Sequence, residues 1–299
     1  PIQCSQQENV LITPGELQFI LKSNSLPNGK ATGLSGLSYE IIRKVCGGKE
    51  ANAIMAKMLN EMLLDPRVIT QQLTTARLIG IKKSNGGVRP LCVQETLVKV
   101  LNKILTLKIT SEIRENLIPT QKCMARSEGQ VLARDQVKGY MEDGFDCIIQ
   151  FDFKNAFGTI DRKKIIERLL HYGIKKVFIN YIIYMLNNQK VVYETETRNE
   201  MTEIETGVPQ GEPMSMVLFA IGIDKLLQEM DDIEGVGVTA YADDVVLAVR
   251  KLADVEMIRK TCADKAKQYG LSLNDNKTCI GYTRKVTDVE LSKLRESGG

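Results

Sequence analysis

The chain has no tryptophan and one histidine, His171. A single histidine excludes centres built on two, such as an HExxH zinc site. Seven cysteines (4, 46, 92, 123, 147, 262 and 279) are odd in number, scattered and never spaced as CxxC. That spacing argues against a zinc ribbon and a disulfide framework alike, so reduced buried thiols in an intracellular protein are expected. Long apolar runs are missing as well. The longest, Met216 to Ile223, falls far short of the roughly 20 residues that span a membrane. The opening PIQCSQQENV lacks the basic-then-apolar order of a secretory signal and does not begin with Met, which suggests a fragment or processed product. With no repeat and no Pro/Gly-rich linker, the chain reads as one continuous unit. Its chemistry must run mostly on carboxylates, lysines and arginines.

The 299 residues, 43% apolar and 26% charged, suffice for one large domain or two small ones. Net charge is only +3, but it is unevenly spread. Residues 1–120 carry 15 Lys/Arg against 9 Asp/Glu, and residues 121–299 carry 25 against 28. A basic front half beside a slightly acidic back half suits an anion grip next to a carboxylate metal centre, although chance also produces such an imbalance.

Residues 14–64 read as mostly helical, broken by a loop over 27–38, with the helix from Glu50 ending at Asp65-Pro66. ARLIGIKK (76–83), SNGG (84–87) and VRPLCV (88–93) predict a β-hairpin turned at Asn-Gly. Glu95–Leu117 is helical, with Leu97, Val100, Leu101, Ile104, Leu105 and Leu107 as its apolar stripe. A strand is expected over Asp146–Phe153, a helix capped by Asp161 to Leu170, and a second helix to Asn187, with Leu169, Leu170, Ile182, Ile183 and Met185 in the core. VVYETE (191–196) and EIETGV (203–208) read as strands, and Pro213–Met230 as a helix. GVTAYADDVVLAV (237–249) reads as two half-strands around Asp243-Asp244, followed by a helix to Tyr269 and a last strand near 277–282. The pattern is α+β, with a mostly antiparallel sheet backed by helices.

Three carboxylates stand where charge is costly: Asp152 in an apolar strand, and Asp243 and Asp244 between hydrophobic half-strands. If the strands are neighbours, all three converge at one sheet edge. Hard oxygen ligands without His or Cys then mean Mg²⁺ or Mn²⁺, and two such ions suit in-line phosphoryl transfer. An ordinary acidic hairpin turn would also account for Asp243-Asp244.

FDFKNAF (151–157), GVPQGEPMS (207–215), YADD (241–244) and GLSLNDNKT (270–278) follow the order and spacing of the palm motifs of reverse transcriptases. IKKSNGGVRPL (81–91) resembles their fingers hairpin and NGKATGLSGLS (28–38) their first fingers motif; the phrasing is most similar to LINE-type (non-LTR) retrotransposons and group II introns. The resemblance implies a right-hand polymerase with fingers over 1–140 (hairpin 76–93), palm over 141–285 and a tail over 286–299. It makes Asp152 and Asp243 ligands of two Mg²⁺ (or Mn²⁺) ions, helped by the Phe153 carbonyl, with Asp244 as the third carboxylate. Lys82 and Arg89 would hold the incoming triphosphate, Gln210 and Gly211 would lie under the nascent base pair, and Lys277 would protonate pyrophosphate. Phe157 would stand against the ribose 2′-OH and select deoxynucleotides.

The sequence departs from this pattern at Met216, where Pro is usual after the Ser, and at Gly158, where a polar residue is usual. No primer grip is evident. Only 22 residues follow Lys277, ending in ESGG, which leaves no room for a thumb and suggests an appended tail. The reading is therefore an RNA-directed DNA polymerase that extends a primer 3′-OH with dNTPs. Its expected partners are an RNA template and a DNA or RNA primer, with intron or element RNA also open and no membrane. The location would be the nucleus for a eukaryotic element and the cytoplasm for a bacterial one. Rival readings are a non-catalytic RNA-binding scaffold, an intron maturase role and an RNA-dependent RNA polymerase.

Overall fold

The computed structural model describes residues 11–287 apart from 24–25, 84–85, 118, 125–127, 195–196 and 285. Ser84 and Asn85 of the hairpin turn, Cys4 and the ESGG tail lie outside these. The strands are β1 Thr75–Lys82, β2 Val88–Val93, β3 Cys147–Phe151, β4 Lys190–Glu194, β5 Asn199–Glu203, β6 Val236–Tyr241, β7 Asp244–Val249 and β8 Cys279–Tyr282. Before β3 come helices α1 Pro14–Lys22, α2 Tyr39–Val45, α3 Lys49–Leu64, α4 Gln71–Thr74, α5 Thr96–Leu117 and α6 Gly129–Glu142. After it come α7 Ala156–Thr159, α8 Arg162–His171, α9 Lys176–Asn188, α10 Ser215–Asp231 and α11 Val255–Lys267. The content is α+β, as the sequence pattern implies, and no helix among the described residues is long and apolar enough to cross a membrane.

Two compact units are formed, each from separate stretches of chain. The first takes the residues up to Ser111, Gly173–Glu205 and Pro209–Ser215; the second takes Glu112–Tyr172, Thr206–Val208 and the residues from Met216 on. Contacts therefore do not divide at the single boundary near residue 140 that the sequence suggests.

In the first unit the sheet runs β2-β1-β4-β5. β1 and β2 are antiparallel from Arg77↔Val93 to Lys82↔Val88, whereas β1 and β4 are parallel from Thr75↔Lys190 to Arg77↔Val192. The helix α5 buries Val98, Leu101, Leu105 and Ile109, each at 0% exposure. Leu107 of the expected stripe is on the outside, at 41%. EIETGV does not form a strand. β5 returns against β4 from Asn199 and ends at Glu203, opposite Lys190. Gly207, already part of the second unit, takes φ 65°, where a Cβ would stand 2.3 Å from the Phe157 carbonyl oxygen of that unit.

The second unit holds an antiparallel sheet ordered β6-β7-β3-β8. Its register, Cys147↔Val249, Ile149↔Leu247 and Phe151↔Val245, puts one apolar face inward. Ile148 and Ala248 on the other face are covered with Phe145 by Val137 and Tyr140 of α6. The sequence pattern does not announce α6. None of its residues is fully buried and its composition is polar, so few apolar residues announce it. Leu169 is fully buried on α8, but Leu170 is 55% exposed. The expected strand over Asp146–Phe153 shortens to Cys147–Phe151, which leaves Asp152 just past its end.

Candidate active site

The sheet of the second unit brings the acidic residues to one edge. Tyr241 pairs with Asp244, so Ala242 and Asp243 form a two-residue turn, and Phe151↔Val245 is the last β3–β7 pair. The next position on each strand is Asp152 and Asp244. From there the chain is fixed by the opposite neighbour: Asn274 N donates to Asp152 O at 2.7 Å, and Lys154 N to Ser272 O at 2.8 Å. Asn274 Nδ2 donates to Asp152 Oδ2 at 2.8 Å, and Lys277 Nζ stands 3.6 Å from the same oxygen. Two residues named from the sequence, Asp152 and Lys277, are thus brought together by Asn274, which sequence reasoning passed over inside the LSLNDNK motif.

The donor chemistry at this edge, carboxylate oxygens without His or thiolate, fits a hard divalent cation. The expected three-carboxylate cluster is nevertheless not assembled: among the described residues no group of three His, Cys, Asp or Glu side chains is placed to hold a metal ion. One Asp152 oxygen is already engaged by an amide and an ammonium, and Asp244 is exposed. Asp243 is half-buried, and its charge together with burial pushes the nearby Cys123 thiol up to about 11, burial being the larger cause. Phe153 follows as an isolated bridge to Leu273. The ring of Phe157 lies flat on Phe219, with centroids 4.7 Å apart and 19° between planes.

Ala242 has φ 54°, rarely adopted by a residue with a Cβ, and is buried. Its main chain is met by Gln121, which is 0% exposed: Ala242 N donates to Gln121 Oε1 at 2.7 Å, and Gln121 Nε2 donates to Ala242 O at 3.2 Å. No periodicity or motif in the sequence marks Gln121 as part of the site.

The remaining predicted residues belong to the first unit. Register puts Arg89 opposite Ile81 and Lys82 opposite Val88, so Lys82 and Arg89 point to opposite faces of the hairpin ribbon. Lys83 N still donates to Gly87 O at 2.7 Å, and alternation returns Lys83 to the face of Arg89. Gln210 O accepts from Cys92 N at 2.7 Å. Gly211 has φ 101°, and a Cβ there would lie 2.7 Å from Leu91 Cδ1 and 2.9 Å from Cys92 O, so only glycine fits.

Next to this turn, Glu212 is buried and accepts from Asn102 Nδ2 at 2.8 Å, while Tyr181 OH donates to Asn102 Oδ1 at 2.7 Å. Burial pushes the Glu212 carboxyl from 4.5 up to about 7, against the opposing pulls of Asn102 and Lys99. Its Oε1 has no partner among the described groups. Glu212 lies inside the PQGEPMS segment, but only burial distinguishes it from a surface acid.

The fold is that of the right-hand polymerases. A telomerase structure from Candida tropicalis, lacking its C-terminal domain, superposes with TM-score 0.56 over 78% of this chain and 56% of that chain, at 14% identity. The chain belongs to the reverse transcriptase (RNA-dependent DNA polymerase) family, which residues 81–290 match. It is 26% identical over 276 residues to the Pol polyprotein of the type-2 retrotransposable element R2DM of Drosophila melanogaster, covering 86% of this chain and 25% of that protein. It is also 26% identical over 212 residues to the Pol polyprotein of a type-1 R2 element of Popillia japonica, covering 64% and 29% respectively. The chain thus spans less than a third of either relative.

Proposed function

We propose that this chain is the polymerising portion of a non-LTR-type reverse transcriptase, extending a primer 3′-OH with dNTPs on an RNA template. The observation that carries this reading is the sheet edge where Asp152 follows β3 and Asp243-Asp244 close the β6–β7 turn, with Lys277 and Asn274 on Asp152. Reverse transcriptases as a family depend on metal ions. Here Asp152 and Asp243 would hold two Mg²⁺, which when bound lower the pKa of the primer hydroxyl and stabilise charge on the transferring phosphoryl group. Lys277 would shift from Asp152 to the leaving pyrophosphate and give it a proton. Arg89 and Lys83, on one face of the hairpin, would grip phosphate oxygens. Gln210 and Gly211 would carry the backbone beneath the new base pair, and Phe157, steadied by Phe219, would exclude a ribose 2′-OH.

Primer extension on an annealed RNA template, with dNTPs or NTPs and beside Asp243→Ala, tests the proposal. Extension with dNTPs that disappears in the variant supports it. Preference for NTPs, or synthesis that survives Asp243→Ala, overturns it.

A further inference from the structure

We propose that Gln121 is a positioning residue for the acidic turn: its side-chain amide clamps the main chain of Ala242 and so fixes where the Asp243 carboxylate stands. The inference rests on the polymerase reading above and adds to it a residue outside the matched palm motifs.

The reasoning begins with the turn itself. The central residues of a two-residue hairpin loop have no cross-strand partner, because the ladder closes at Tyr241↔Asp244. On a surface loop, water would serve the Ala242 N–H and C=O. Here Ala242 is 7% exposed, so both groups must find partners inside the protein. Gln121 supplies both from one planar amide, with its Oε1 on the N–H and its Nε2 on the C=O. Asn would fall a methylene short, and Glu could accept but not donate when ionised.

Gln121 is itself anchored. Its own N–H donates to Leu117 O at 2.7 Å at the end of α5, and Ala240 N donates to Thr120 O at 2.7 Å. Residue 121 forms an isolated parallel bridge with Ala240. The segment 120–121 therefore runs along the end of β6 as a short extra rung, and the amide projects from it onto the next residue but one. A left-handed alanine is held only when its surroundings over-determine it; the Gln121 amide meets both of its backbone groups, and the Cys123 thiol adds a further contact to the same backbone. Asp243 follows immediately, so the φ and ψ of Ala242 set the direction in which its carboxylate leaves the backbone.

The test uses the whole chain with Gln121→Ala, Gln121→Glu and Gln121→Ala/Ala242→Gly. Amide hydrogen exchange at Ala242 reads the clamp without any turnover. In Gln121→Ala it should accelerate by about 100-fold while Leu247 and Val249 of β7 keep their protection. In primer extension kcat should fall by about 10- to 100-fold, with the dNTP KM changed by less than about twofold. Adding Ala242→Gly, which makes the left-handed conformation free of strain, should restore part of kcat. Gln121→Glu, close in shape, should fall between wild type and Gln121→Ala, and it carries the test if the alanine variant does not fold. Unchanged exchange at Ala242, loss of β7 protection together with it, or a kcat defect that Ala242→Gly leaves untouched would each overturn the proposal. If the wild-type chain does not polymerise, the polymerase reading fails while the exchange measurement still decides the clamp.

Discussion

Lys277 Nζ stands 3.6 Å from Asp152 Oδ2, the same oxygen that Asn274 Nδ2 holds at 2.8 Å. Both ionic side chains are partly open to solvent, at 54% and 38% exposure, so the pair adds at most about 1 kcal/mol to stability. Under the proposed mechanism its value is positional, keeping the lysine that would give up a proton beside a carboxylate. Lys277→Ala should leave the thermal midpoint within a few degrees of wild type and lower kcat by about 10- to 100-fold. Asn274→Ala, which frees the Asp152 side chain, should weaken Mn²⁺ binding by about 10-fold, read by electron paramagnetic resonance of free Mn²⁺.

The hairpin separates two lysines that look equivalent in sequence. Register puts Arg89 on the face opposite Lys82, and the Lys83 N–H bond to Gly87 O carries the alternation one residue past β1, toward the face of Arg89. Arg89→Ala and Lys83→Ala should each raise the dNTP KM about 10-fold or more, as expected for loss of a charge-assisted hydrogen bond, and Lys82→Ala should change it less than about threefold. The reverse ranking in steady-state primer extension would return the role to Lys82.

Glu212 gives a pH signature. Its folded pKa of about 7 lies above the ordinary 4.5, so the folded state holds a proton that the unfolded chain has released between those values. Stability from this group therefore declines as pH rises through that window and levels off above pH 7, by an amount on the order of 1–3 kcal/mol. The groups facing it are Lys99, Tyr39, Tyr181 and Cys92. Glu212→Gln should remove this part of the slope. Urea unfolding at pH 5 and pH 8 should show wild type losing more stability than the variant, and equal losses would refute the assignment.

A buried ion pair supports the second unit. Asp224, fully buried, receives Arg168 Nη2, Tyr172 OH at 2.6 Å and Gln228 Nε2 at 3.0 Å. Removing one partner strands the other charge, so Arg168→Ala should cost about 3–5 kcal/mol in urea unfolding. Tyr172→Phe, which deletes two hydrogen bonds, one given to Asp224 and one accepted from Arg168 Nη2, should cost about 2–4 kcal/mol.

Phe157 has one ring face committed to Phe219. Phe157→Ala should raise the efficiency of NTP incorporation relative to dNTP by about 10- to 100-fold, measured by competitive extension. An unchanged ratio would make the ring a packing residue only.

Elements with strong local signals are legible in the amino-acid sequence: the hairpin by its Asn-Gly turn, α5 by its stripe and α8 by the Asp161 cap, whose carboxylate accepts from Lys163 N at 2.8 Å. Asp152, Asp243 and Lys277 stand out because charge in an apolar frame or a familiar motif is visible in one dimension. What stays hidden depends on long-range pairing. The β1–β4 parallel contact joins residues that no local period relates, and β5 is placed by its return against β4 rather than by the apolar alternation of 203–208. α6 is largely polar and buries none of its residues fully, so too few apolar positions mark it. Gln121 and Glu212 are ordinary surface residue types that only their burial singles out, and the hairpin face of Lys82 is told only by the register.

The parallel pairing of β1 with β4 also governs how the chain can be made. β1 is complete at residue 82, yet its partner begins at residue 190. During synthesis the N-terminal segment therefore carries an open strand edge while more than a hundred further residues emerge, among them all of β3 and α6–α8. Closing so long a crossover is slow, and the exposed edge is prone to pair with other chains in the interval. A cut near residue 140 would leave the N-terminal piece with two of its four strands, whereas the C-terminal piece would keep its own sheet and carry two strands that belong to the other. The working boundary for any truncation is the set of crossings between units, not a point along the sequence.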